Sequence, residues 1–206
     1  MCHETLMVTE KGKKLTKLVG EDYQSALLSP VIPPDSRKGE QEQEQEQGQE
    51  QEQEQEQESY VEFHVLKNPM PQCFIGFGVC KGNHEYKEGR SAMAAEDAWM
   101  LSSHSGKAYS NGGMSKQFLP GIGTKPYCPG EEHLAKDSVR VNVGDRLGLL
   151  ADMQKHSLYV YVNGVCQGEM FSGIPDGVRF VVDLGDEEQE VEILPTDMPG
   201  EELSEG

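Results

Sequence analysis

The stretch from Val141 to Pro175, VNVGDRLGLLADMQKHSLYVYVNGVCQGEMFSGIP, constrains the fold more than any other part of the chain. Leu158, Val160 and Val162 alternate with Tyr159 and Tyr161. That period of two sets apolar groups on one face of a strand and amphipathic groups on the other. The alternation runs directly into Asn163-Gly164. This dipeptide tolerates positive φ at both central positions of a two-residue turn, which makes it the strongest short-range hairpin signal. The stretch therefore reads as three short strands joined by two tight turns, and it assigns the chain to the antiparallel β class.

Other segments follow the same period. YVEFHVLK places Val61, Phe63 and Val65 on one face and Glu62 and His64 on the other. CFIGFGVC is a continuous apolar run with two glycines, the pattern of a buried central strand. Lys81 to Asp97 reads as a polar loop. Trp99 to Ser102 and the region around Tyr109 frame a hairpin with Ser105-Gly106 at its tip. Gly112 to Asp137 is rich in Gly and Pro and is expected to be irregular. Asp176-Gly177 leads into VRFVVDL, and Gly185 to Gln189 turns into EVEIL. Near the start, Leu6 to Val19 reads as a hairpin around Lys11-Gly12. Tyr23 to Ile32 continues as an extended piece ended by Pro33-Pro34, since proline cannot donate to a ladder. Roughly ten to twelve short strands with no long helix predict an all-β, antiparallel two-sheet β-sandwich.

One tract interrupts this pattern. From Glu40 to Glu58 there are nine Glu, nine Gln and Gly48. Glu recurs four residues from Glu, each such pair is repulsive in a helix, and no apolar face is available for docking. The tract is expected to be a solvated, disordered loop insertion, which a sandwich tolerates because loop closure costs grow only logarithmically with length. The expected organisation is an N-terminal tail over 1–5, one domain over 6–194 interrupted by the loop 40–58, and an acidic tail over 195–206.

The tract carries half of the net charge of −18. Such acidity disfavours phosphate backbones and anionic membrane surfaces as partners, so neither nucleic acid nor membrane is expected. Five cysteines, Cys2, Cys73, Cys80, Cys128 and Cys166, form no framework of regular spacing. That usage implies a reducing compartment, the cytoplasm and also the nucleus. The chain contains no G-x-S-x-G, H-E-x-x-H, P-loop or dinucleotide fingerprint. Cys73 and Cys80 lack zinc spacing and read as core residues. The expectation is a non-enzymatic protein without cofactor or metal. Asp183, Asp186, Glu187 and Glu188 cluster near one turn, either as a solvated hairpin tip or as a carboxylate set for calcium.

The ordered series resembles the SPRY family. VGDRLGLLADMQKHSLYVYVNG followed by CQGEMFSGIP is similar to that family's Gly-Asp start, Asn-Gly hairpin and Gly-hydrophobic-Pro step. FIGFGVC resembles its Gly-rich central strand, WMLSSHSGKAYSNG its Trp, Ser-Gly and Tyr-Asn-Gly series, YVEFHV its aromatic-Glu-Val strand, and RFVVDLGDEEQEVEI its closing strands. The resemblance spans about Leu6 to Leu194 and has no clear PRY segment. It implies a concanavalin-like jelly-roll sandwich that binds a peptide or protein through loops at one end. By analogy it also implies substrate recognition or scaffolding in ubiquitin pathways.

In the SOCS-box type of SPRY protein, a Tyr before the Trp helps form the peptide pocket. Tyr86 stands before Trp99 here, whereas Leu184-Gly185 stands where those proteins carry a further Trp. Tyr offers amphipathic contact area at low entropic cost. The candidate partner-binding residues are therefore Tyr86, Arg90, Lys107, Lys125 and Tyr127, with the cations suited to an acidic partner segment. Trp99, Asn163 and Gly164 are expected to be structural, and a monomer is expected. The alternative is a lectin-like binder of carbohydrate, dependent on calcium, on the same sandwich.

Overall fold

Alternation and turn chemistry together produce the observed ladder. In a computed structural model, which describes residues 6–9, 14–17, 24–28, 58–69, 74–85, 90–118 and 141–194, thirteen strands form two antiparallel sheets. The first sheet runs in spatial order β1 (Leu6–Thr9), β2 (Lys14–Lys17), β13 (Glu190–Leu194), β4 (Glu58–Lys67), β9 (Arg146–Asp152), β10 (Ser157–Val162) and β11 (Val165–Ser172). The second runs β3 (Gln24–Leu27), β12 (Val178–Leu184), β5 (Ile75–Lys81), β6 (Ala98–Ser102), β7 (Lys107–Ser110) and β8 (Gly113–Gln117).

The two sheets enclose one main core. Phe63, Val65, Leu147, Leu149, Leu158 and Val160 enter it from the first sheet, and Ile75, Phe77, Val79, Leu101, Val182 and Leu184 from the second. Phe63 and Phe77 meet across the sandwich with ring centroids 5.3 Å apart. On β10 the period of two is complete. Leu158, Val160 and Val162 are buried, while Tyr159 and Tyr161 are half-buried on the outer face. There the Tyr161 ring meets Tyr60 edge-on at 5.7 Å, a favoured aromatic geometry.

Asn163 and Gly164 adopt φ of 51° and 80°, the positive pair that a two-residue hairpin requires. The Asn163 side chain does more than tolerate the turn. Its Oδ1 accepts from the Arg146 amide at 2.9 Å, and its Nδ2 donates to Asp145 Oδ1 at 2.9 Å. Asp145 Oδ2 in turn accepts from the Asn142 amide and its Nδ2. The hairpin tip is thereby fastened to the turn that opens β9.

Four expectations change. Gly112 to Asp137 is not irregular throughout, because Gly113–Gln117 forms β8 against β7. The reason is a second Asn-Gly pair, Asn111 and Gly112, with φ of 51° and 73°. The polar loop Lys81 to Asp97 contains a 3-10 turn over Ala92–Ala94, with Ala92 and Met93 buried. The Glu/Gln tract ends one residue earlier than read, because Glu58 opens β4 opposite Asp152. Residues 40–57, the turn at Lys11-Gly12, Pro33-Pro34 and both expected tails lie outside the described residues. Asp183, finally, is no part of a solvated hairpin tip or a calcium cluster. It lies on β12, fully buried.

Candidate functional site

The outer face of the second sheet carries a second, smaller core. Cys80, Ala92, Met93, Ala98, Met100 and Val181 pack there, with Leu27, Phe74, Ala95 and Tyr109 around them. The two glycines of β5 make this possible. A Cβ on Gly78 would lie 2.0 Å from the Trp99 carbonyl oxygen and 2.8 Å from Met100 Cα. A Cβ on Gly76 would lie 2.9 Å from Met93 Cε. The glycine-rich strand is thus a bare strip onto which a loop and two methionines can settle.

The segment Ser91 to Ala95 settles there. Ser91 caps the 3-10 turn, its Oγ accepting from the Met93 amide at 3.1 Å, which satisfies one of the amides left open at a helical N-terminus. The Ala94 amide donates to the Ser91 carbonyl and the Ala95 amide to the Ala92 carbonyl. At the far end the Gly112 amide donates to the Ala95 carbonyl at 3.0 Å, joining this segment to the β7–β8 tip.

A cleft of about 800 Å³ opens beside this wall, lined by Lys81, Asn83, His84, Arg90, Asp97 and Asn111 together with Ser91, Ala92, Ala94 and Ala95. That volume falls within the range of ordinary ligand clefts. His84 Nδ1 lies 2.7 Å from Asp97 Oδ1, and the His84 amide donates to the Lys81 carbonyl. The turn is fastened from behind, the Gly82 amide donating to the Gly177 carbonyl at 2.8 Å. Arg90 and Lys81 are exposed, and among the described residues neither joins an ion pair. Glu85 and Glu96 are exposed beside them.

Burial pushes the Cys80 thiol up to about 12, with the Asp97 charge adding to the effect and Arg179 opposing it. Such a thiol is a packing group and not a nucleophile. Cys73 lies outside the described residues. Among the described residues no three His, Cys, Asp or Glu side chains are placed to hold a metal ion. Glu188 is engaged instead with Lys67 at 2.6 Å, and Gln189 Oε1 accepts from the Gly185 and Asp186 amides.

The structure separates the residues singled out in the sequence. Arg90 lines the cleft. Lys107 does not. It stands at the Ser105-Gly106 end of β7, while Asn111, past the other end, lines the cleft. Four residues of strand separate them by about 13 Å. Trp99 is partly buried and packs against the main core from β6, opposite Val79 and Ser110. Tyr86, Lys125 and Tyr127 lie outside the described residues. His84, Asp97, Asn111 and Ser91 were not singled out. The only available signal was the Asn111-Gly112 turn, which brings the β7–β8 tip to the wall.

An antiparallel two-sheet sandwich with a loop-built cleft over one sheet defines the class. Within it, the chain is similar to the SPRY domain of human HERC1, at 16% identity and a TM-score of 0.62, with 95% of each chain covered. It is equally similar to a human SPRY domain, at 16% identity and a TM-score of 0.62, covering 92% of this chain and 94% of that one. The PSpry domain of TRIM65 matches at 10% identity and a TM-score of 0.55, covering 93% and 86%. No family model and no curated protein matches the sequence. The fold of this chain is the SPRY fold.

Proposed function

We propose that the chain is a non-catalytic protein-interaction module that takes a peptide or protein segment in the cleft beside Ser91 to Ala95. The observation that carries this reading is the cleft itself. Its wall is packed onto the sheet and hydrogen-bonded at both ends, and two exposed cations that join no ion pair among the described residues, Lys81 and Arg90, line it. Loops held by a rigid scaffold are the usual place for recognition. In a chain of net charge −18, exposed cations lining a cleft favour a ligand carboxylate. Asn83 and Asn111 supply amide donors and acceptors for a ligand backbone. Glu85 and Glu96 oppose a densely acidic segment, so the ligand class is a segment with one or two carboxylates and not a polyacidic run.

Selection from a displayed random peptide library on the folded full chain tests this reading. Enriched peptides should carry one or two acidic residues, and the double change Lys81→Glu with Arg90→Glu should weaken them about tenfold or more. Peptides that bind the double variant as well as the parent would place recognition elsewhere. The lectin-like alternative loses its calcium feature, because Asp183 is committed to Ser25 and Ser91 and Glu188 to Lys67.

A further inference from the structure

The cleft wall rests on a buried carboxylate. Asp183 lies on the outer face of β12 with 0% of its surface exposed. Its Oδ1 accepts from Ser25 Oγ of β3 at 2.9 Å. Its Oδ2 accepts from Ser91 Oγ at 2.5 Å and from the Ala92 amide at 3.0 Å. Three donors from an edge strand and from the wall thus converge on one side chain, which ties the first turn of the wall to the sheet. Gly76 of β5 leaves room beside it, since a Cβ there would stand 3.1 Å from Asp183 Cβ. From β6 and the wall, Met100 and Met93 close over the same spot. Among the described residues Lys17 is the one charged side chain that acts on it.

We propose that Asp183 is a positioning residue for the cleft, a latch that holds the Ser91–Ala95 wall down on the second sheet. Its importance for a ligand rests on the cleft being the binding site. The latch itself is a property of the free chain and can be tested without any ligand.

The physical reason lies in what opening does to the carboxylate. Lifting the wall removes the Ser91 and Ala92 donors and returns Asp183 to water. In the closed form, burial pushes Asp183 up to about 6, against the pull of Ser91, Ser25, the Ala92 amide and the Lys17 charge. In water it returns toward the ordinary 3.8. The closed wall therefore binds the proton more tightly than the open one. Acid favours closure, and the preference is lost as pH rises through about 6. Linkage between those two values makes opening about tenfold more frequent at pH 7.5 than at pH 5. The control variant must leave the charged groups that line the cleft in place. Asp183→Asn does so. It leaves an oxygen to accept from Ser91 and Ala92 and an amide to donate to Ser25, and it removes the ionisation.

Amide hydrogen exchange on the full chain is the experiment, with intrinsic exchange rates divided out. The Ala92, Met93, Ala94 and Ala95 amides are all hydrogen-bonded in the closed wall and report its opening. The amides of β10 report whether the sandwich stays folded. The expected result is about tenfold more opening of residues 92–95 at pH 7.5 than at pH 5 in the parent chain, with β10 protected throughout. Asp183→Asn should abolish that slope, and Ser91→Ala should keep it with more opening at every pH. A flat profile in the parent chain, or the same slope in Asp183→Asn, would overturn the latch. Peptides selected on the parent should also bind Asp183→Ala more weakly. If they do not while the exchange slope stands, the assignment of the cleft fails and the latch survives.

Discussion

The main core and the small core on the outer face of the second sheet are built by different rules. Between the sheets, Phe63, Phe77, Leu149, Leu158 and Val182 interdigitate as apolar side chains of a strict alternation. Under the wall, two methionines, a thiol, a bare glycine strip and an ionisable carboxylate share one small space. The first arrangement makes the sandwich stable, and any apolar residue of the right volume serves it. The second makes a loop adopt one position, and it needs particular atoms at particular distances. Stability and site geometry are thus housed in separate layers of one fold.

The contrast can be tested by substitution. The largest effect belongs to the main core. Phe63→Ala removes a fully buried ring and its contact with Phe77, and it should cost about 3–5 kcal/mol by urea unfolding. Next comes Gly78→Ala, whose Cβ would meet backbone at 2.0 Å. Backbone cannot yield as a side-chain tip can, so the expected loss is about 3 kcal/mol. Gly76→Ala faces mainly methionine ends and should cost less. If the two glycines respond equally, the bare-strip account is wrong.

The pH effect is smaller and belongs to the small core alone. Because the Asp183 carboxyl is raised to about 6 in the folded chain, its contribution is complete below its unfolded value and is lost as pH rises through about 6. Relative to Asp183→Asn, the parent should gain about 1.4 kcal/mol of stability between pH 7.5 and pH 5. Parallel unfolding curves for the two at both pH values would contradict this. Asn163→Ala removes a positive-φ residue and its bonds to Arg146 and Asp145. It should lower stability by about 1 kcal/mol in thermal melts and leave peptide binding unchanged. Smallest of all, Arg90→Ala should alter stability by no more than about 0.5 kcal/mol, so any loss of ligand affinity it causes reports contact and not folding.

Most of the sandwich was legible because strands and tight turns are local. The alternations at 61–65 and 158–162 and the turn at Asn163-Gly164 each involve neighbours a few residues apart. The same signal at Asn111-Gly112 was present but passed over beneath the Gly and Pro content that follows, and β8 was missed with it. The cleft was not legible. His84 and Asp97 stand 13 residues apart, and the Asp183 partners are 92 and 158 residues distant. Lys107 and Arg90 looked alike as loop cations, yet strand direction carries them to different ends of the second sheet.

By itself, then, the order of residues determined the antiparallel class, the hairpins and which faces turn inward, because apolar periodicity and backbone φ preferences act over a few residues. Only the tertiary structure decided that Asp183 would be buried and that Ser91 and Ser25 would meet it. It likewise decided that Gly76 would clear a place for the cleft wall and Gly78 for the close approach of β6. Those outcomes depend on which strands become neighbours, and that pairing emerges only when two complete sheets pack around a shared core.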